Sequence, residues 1–69
     1  MAAPNEYKTK GQAAAYISMQ TGYGMPTVER TMQRLQEAGR ITPMKVSYAI
    51  LYSPEDVDLV IRVLKGEER

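Results

Sequence analysis

A mainly α domain with a small β-hairpin, in the order helix, helix, hairpin, helix, follows from three features of the sequence. Glycine and proline punctuate it at Gly22-Tyr23-Gly24, Gly39 and Ser53-Pro54. Apolar residues recur at helical spacing between those points. From Ile41 to Tyr52 the residue types turn β-branched and aromatic. The 69 residues suffice for one domain, near the lower size at which a chain folds without a disulfide, a metal or a partner.

The first helix is expected over 9–21. Thr9 and Gln12 form a capping-box pair, in which the threonine oxygen accepts from the third helical N–H and the glutamine reaches back. Ala13, Ala14, Ile17 and Tyr16 supply its apolar side, and the alanines let another helix approach closely. Gly22-Tyr23-Gly24 ends it, because glycine takes the left-handed conformation that satisfies the last carbonyls. Pro26 suits a first helical turn, so a second helix spans 26–38, stopped by Gly39. Ile41, Val46, Tyr48, Ile50, Leu51 and Tyr52 give residues 41–52 strand character. A fold-back there places its turn near Ser47-Tyr48; one longer strand is the alternative. Pro43 confines the first strand to an edge or an early position. Ser53-Pro54-Glu55-Asp56 combines an N-cap, a first-turn proline and two acids at the positive end of the helix dipole. Val57, Val60, Ile61 and Leu64 follow as a core stripe, so a last helix spans 54–65. The domain is expected at 8–66, with a flexible tail at 1–7 and a charged one at 67–69.

Composition narrows the chemistry. With no Cys and no His, the chain lacks thiolate and imidazole for a metal site or a nucleophile–base pair. Its acids are not clustered in a loop as calcium requires. The pair Glu55-Asp56 is accounted for by capping, and Gly22-Tyr23-Gly24 lacks the lysine of a phosphate loop. No enzyme, metal, cofactor or small-molecule substrate is expected. No apolar run reaches membrane-spanning length and no signal peptide stands out, so no membrane partner is expected. Absence of cysteine suits a reducing, cytoplasmic setting. Net charge is +1, but residues 1–53 carry a local +3 and residues 54–69 a local −2. A mildly basic front with an acidic last helix suits a small nucleic-acid face, and equally an ordinary soluble protein.

Within the second helix, Val28, Met32, Leu35 and Gly39 fall on one side. Thr27, Arg30, Thr31 and Arg34 fall on another. That second stripe presents two guanidinium forks and two hydroxyls within two turns, which is equipment for reading a DNA major groove. A solvated helix face is the plain alternative. Other residues have plain readings too: Tyr48 and Tyr52 as strand packing, Met19, Met25, Met32 and Met44 as gap-filling core or loop residues, Lys8 and Lys10 as solvated charges.

Several segments carry a family likeness. Thr9-Lys10-Gly11-Gln12-Ala13-Ala14-Ala15-Tyr16-Ile17 resembles the T-x-x-E-A-A-x-x-L opening of excisionase and MerR-type DNA-binding domains, with Gln12 for the acid. Thr27-Val28-Glu29-Arg30 resembles their T-V-x-R recognition start, and Gly39-Arg40-Ile41 the G-R-L that leads into a wing. Tyr52-Ser53-Pro54-Glu55-Asp56-Val57 is similar to the junction of their last strand and last helix. The likeness covers residues 8–65. Two spacings are about one turn longer than usual, Thr31 stands where a Trp is common, and the wing lacks the customary Gly and Arg. The run from Thr27 to Ile41 also resembles the recognition helix of bacterial winged-helix repressors.

The resemblance implies a winged helix-turn-helix that binds double-stranded DNA, as a transcriptional regulator or an excisionase-like architectural factor. Thr27, Arg30, Thr31 and Arg34 would then face the major groove, with Arg30 in the place of the motif arginine. Thr9 and Lys10, at the start of the first helix, would meet the backbone. Arg40, Lys45 and Tyr48 would lie on the wing, 41–52, against phosphates or the minor groove. So small a domain makes few base contacts, so a homodimer or cooperative assembly on DNA is expected. The competing reading is a non-enzymatic protein-interaction module on the same scaffold, such as a phage, plasmid or packaging accessory factor.

Overall fold

A computed structural model of the chain describes residues 7–67. Of the expected tails at 1–7 and 67–69, residues 1–6 and 68–69 lie outside the described residues, and Tyr7 and Glu67 lie within them. Six elements follow in order: β1 (Lys8–Thr9), α1 (Lys10–Thr21), α2 (Met25–Glu37), β2 (Met44–Val46), β3 (Ala49–Tyr52) and α3 (Pro54–Leu64). The molecule is mainly helical, with three helices and one antiparallel sheet in the order β1-β3-β2. This arrangement is compatible with a winged helix.

Local chemistry sets the helix ends. Thr9 Oγ1 accepts from the Gln12 N–H (3.3 Å) while the Thr9 N–H donates to Gln12 Oε1 (3.1 Å), closing the capping box. Gly22 takes φ 81° and its N–H donates to the Ser18 carbonyl at 2.8 Å. At the end of α2, Gly39 is left-handed and the Arg40 N–H returns to the Leu35 carbonyl at 2.9 Å, so the chain leaves the helix sharply. Ser53 Oγ accepts from the Asp56 N–H (3.1 Å) and starts α3.

Residues 41–52 do fold back. Val46 pairs with Ala49 across a two-residue loop, Ser47-Tyr48, and Met44 pairs with Leu51. Ser47 alone in that loop has positive φ (54°), the pattern of a type II′ rather than a type I′ turn. The sheet has a third strand that the sequence reading did not anticipate. β1 pairs antiparallel with β3, Lys8 opposite Tyr52 and Thr9 opposite Leu51. The strand runs directly into α1, so Thr9 is both strand residue and helix cap.

The core is formed by Ala13, Ala14, Ile17, Val28, Met32, Leu35, Ile41, Tyr52, Val57 and Val60. Ala13 and Ala14 are wholly buried, and α1 packs on both α2 and α3. Their missing bulk lets three helices meet around a short seam. Leu59, Ile61, Val63 and Leu64 of α3 are half-buried against that core. Four sequence assignments need correction. Tyr16 does not join the apolar side of α1 but is exposed, with the Lys8 Nζ over its ring at 5.1 Å. Met19, Met25 and Met44 belong neither to the core nor to loops; they are exposed on α1, α2 and β2, and Met32 alone of the four is buried.

Candidate nucleic-acid interface

Helix α2 turns Val28, Thr31, Met32 and Leu35 to the core. Its start is fixed by Gly24 and Pro26, with the Val28 N–H donating to the Gly24 carbonyl at 3.1 Å. Thr27, Arg30 and Arg34 stand exposed on the other side. Arg30 and Arg34 are one turn apart, and neither pairs with a carboxylate among the described residues. Glu37, three residues after Arg34, instead accepts from Gln33 Nε2 at 3.1 Å, and Glu29, next to Arg30 in sequence, is exposed on the same helix. Two guanidinium groups are therefore held side by side on a rigid element, free to meet an anionic or acceptor-rich partner.

Thr31 does not belong to this face. It is 8 % exposed, and its hydroxyl donates to the Thr27 carbonyl at 3.0 Å. Its place in the stripe is a boundary position, three residues after Val28 and four before Leu35, and the buried arc takes it. Gln33, between the two arginines in sequence, is exposed where Thr31 is not. The sequence reading missed it; the signal was its offset from Arg30, equal to that of Arg34 from Thr31.

The remaining candidates are dispersed. Thr9 is half-buried and its oxygen serves as the helix cap, while Lys10 is exposed at the start of α1. Arg40 is exposed just after the Gly39 turn, and Lys45 is exposed in the middle of β2, opposite Ile50. Tyr48 is fully exposed at the hairpin tip, so it packs against no strand neighbour as the plain reading had it. Lys45 is the single charge on a hairpin whose other exposed side chains include Met44, Val46, Tyr48 and Ile50. A surface of that kind supplies little attraction for phosphates.

Tyr52 is a packing residue. It is buried, and its Oη donates to Gln36 Oε1 at 3.4 Å, tying the base of the hairpin to the second half of α2. Burial raises its phenol pKa, and the nearby Asp56 carboxylate raises it further. Asp56 is also raised, chiefly by burial and slightly by Glu55, against hydrogen bonds from Ser53 and the Thr42 backbone that hold it down. This cluster joins hairpin, α2 and α3 structurally.

Comparison of the chain with protein-family models, curated proteins and solved structures finds no match. The functional reading therefore rests on the chain's own residues. Among the described residues no cluster of His, Cys, Asp and Glu has the composition of a metal site, and no helix is long and apolar enough to cross a membrane.

The position of Thr31 gives a first test. Thr31→Val keeps the shape and exchanges a hydroxyl that bonds only within its own helix. The change is expected to alter stability by less than about 1 kcal/mol and to leave the affinity for DNA unchanged. Thermal melts and a binding titration check it; a large affinity loss would return Thr31 to the outer face.

Proposed function

We propose that this domain binds double-stranded DNA as a small winged helix-turn-helix, with α2 in the major groove. The observation that carries the reading is the exposed α2 flank, where Arg30 and Arg34 stand one turn apart, unpaired with carboxylates, beside Thr27. Element order and the start of α2 beside a glycine-bounded turn support it. In this reading Arg30 pairs with a guanine edge or anchors a phosphate, Arg34 does the other, and Thr27 contacts the backbone near the helix N-terminus. Lys10, at the start of α1, meets an adjacent phosphate, and Arg40, Lys45 and Tyr48 approach from the hairpin side. The role is that of a transcriptional regulator or an architectural factor, acting in the cytoplasm through two copies or cooperative assembly, with no cofactor.

The exposed apolar hairpin favours a second reading, a protein-interaction module. Fluorescence-anisotropy titration of mixed-sequence duplex DNA at low and moderate salt separates the two. DNA binding that falls steeply with salt is expected for the wild type. Arg30→Ala is expected to weaken it by about 1–3 kcal/mol if it reads a base, and by less, with a shallower salt slope, if it holds a phosphate. A folded protein that fails to bind even at low salt would sink the DNA reading and leave the interaction module.

A further inference from the structure

Helix α2 offers more than its two arginines. Val28, Thr31, Met32 and Leu35 mark its buried arc. Gln36 marks the hairpin side, because its Oε1 accepts from the Tyr52 hydroxyl at 3.4 Å. By helical spacing, Thr27 and Arg34 lie on the opposite flank. Between those flanks, pointing away from the core, runs a row spaced by three and then four residues: Arg30, Gln33 and Glu37, all exposed. The burial of Thr31 fixes this rotation and sets the middle of the exposed arc between Arg30 and Gln33. A helix that enters a groove turns its central row to the base edges and its flanks to the phosphate walls. Arg34 then sits where it attracts a phosphate, and Gln33 sits where a base is read.

The amide of Gln33 is also oriented. Its Nε2 donates to Glu37 Oε2 at 3.1 Å. A carboxylate only accepts, so the nitrogen must be the atom on the Glu37 side, and Oε1 lies on the other. One N–H and Oε1 remain, a donor and an acceptor side by side. Adenine presents their complement in the major groove, an N7 acceptor beside an N6 donor, whereas guanine presents two acceptors there. We propose that Gln33 is a specificity-determining residue that reads an adenine edge, and that Glu37 is the positioning residue that holds its amide. The inference rests on the DNA-binding reading above and deepens it: the preferred duplex carries an A·T pair at the middle of the α2 footprint, beside the pair met by Arg30. The charge of Glu37 has a second consequence. It repels phosphates whatever the sequence, so it lowers affinity for every duplex while the oriented amide sharpens the choice among them.

The test is selection from a random duplex library with the full chain, followed by anisotropy titrations of the selected duplex and of versions changed one pair at a time. Wild type is expected to favour A·T over G·C by about tenfold at one pair. Gln33→Ala is expected to lose that preference, with all four choices within about twofold, while preferences at other pairs persist. Its helical signal and melting midpoint are expected to hold, since the side chain is exposed. Glu37→Ala is expected to bind mixed-sequence duplex more tightly, having lost a negative charge, and yet to discriminate less at the A·T pair. If Glu37 acted through charge alone, its removal would raise every affinity equally and leave the preference unmoved, which would overturn the positioning role. An A·T preference that survives in Gln33→Ala would overturn the proposal and leave DNA binding in place. So would a wild type that binds duplex without preference at any pair. A wild type that binds no duplex even at low salt would overturn the DNA reading itself, and this inference with it.

Discussion

Ile17→Ala is expected to leave this domain largely unfolded at 37 °C. Ile17 is wholly buried on α1 and is among the largest side chains with no exposed surface. Cutting a buried isoleucine to alanine costs about 2–5 kcal/mol, the transfer free energy plus the cavity left behind. Relief by collapse is small here, since Ala13 and Ala14 already bring the helix backbones close. A single-core domain of this size has only about 3–5 kcal/mol of stability in total. The loss is therefore comparable to the whole. In a thermal melt followed by circular dichroism, the midpoint is expected to drop by about 10 °C or more. Met19→Ala on the same helix, at an exposed position, is the control and is expected to stay within about 0.5 kcal/mol of wild type. If the two variants melt alike, the seam of α1 against α2 and α3 is not what holds the fold together.

The local signals of this chain were legible because they are chemical as well as statistical. Thr9 with Gln12 and Ser53 with Asp56 name their hydrogen bonds in the sequence, and Gly22 and Gly39 name the left-handed residues. What was not legible depends on tertiary pairing. Lys8–Thr9 has no strand pattern of its own; it becomes β1 only because β3 offers an edge beside it. Thr31 was misplaced because a stripe of polar type and a stripe of burial are not the same stripe, and a short polar residue on the boundary is cheap to bury once it bonds its own helix. Residue type alone reads Met19, Met25 and Met44 as core or loop, whereas they stand exposed on α1, α2 and β2. For the candidate site, the sequence placed Thr27, Arg30 and Arg34 together, and they do share a face; Thr9, Lys10, Arg40, Lys45 and Tyr48 came from family likeness and are dispersed over the rest of the surface.

Arg30→Glu with Arg34→Glu is expected to abolish measurable duplex binding, the largest functional effect the α2 face can give. The double change moves the net charge from +1 to −3. More to the point, it puts two carboxylates where the proposal puts two phosphate or base contacts. Each phosphate-neutralising cation contributes about 0.9 to the salt slope, so removing both lowers it by about 2 before any repulsion is counted. At low salt the combined loss is expected to exceed a hundredfold. Folding is expected to persist, since both side chains are exposed and Glu favours helix; the cost of a carboxylate near the C-terminal end of α2 is about 0.3–1 kcal/mol. Lys45→Glu, by contrast, changes one charge on an apolar hairpin and is expected to weaken binding several-fold at most. The ranking is what decides. If Lys45→Glu costs as much as the α2 pair, the hairpin dominates the contact. If neither matters while the wild type binds, DNA meets another surface of the molecule, and the arginine flank of α2 is left to be explained by an acidic protein partner.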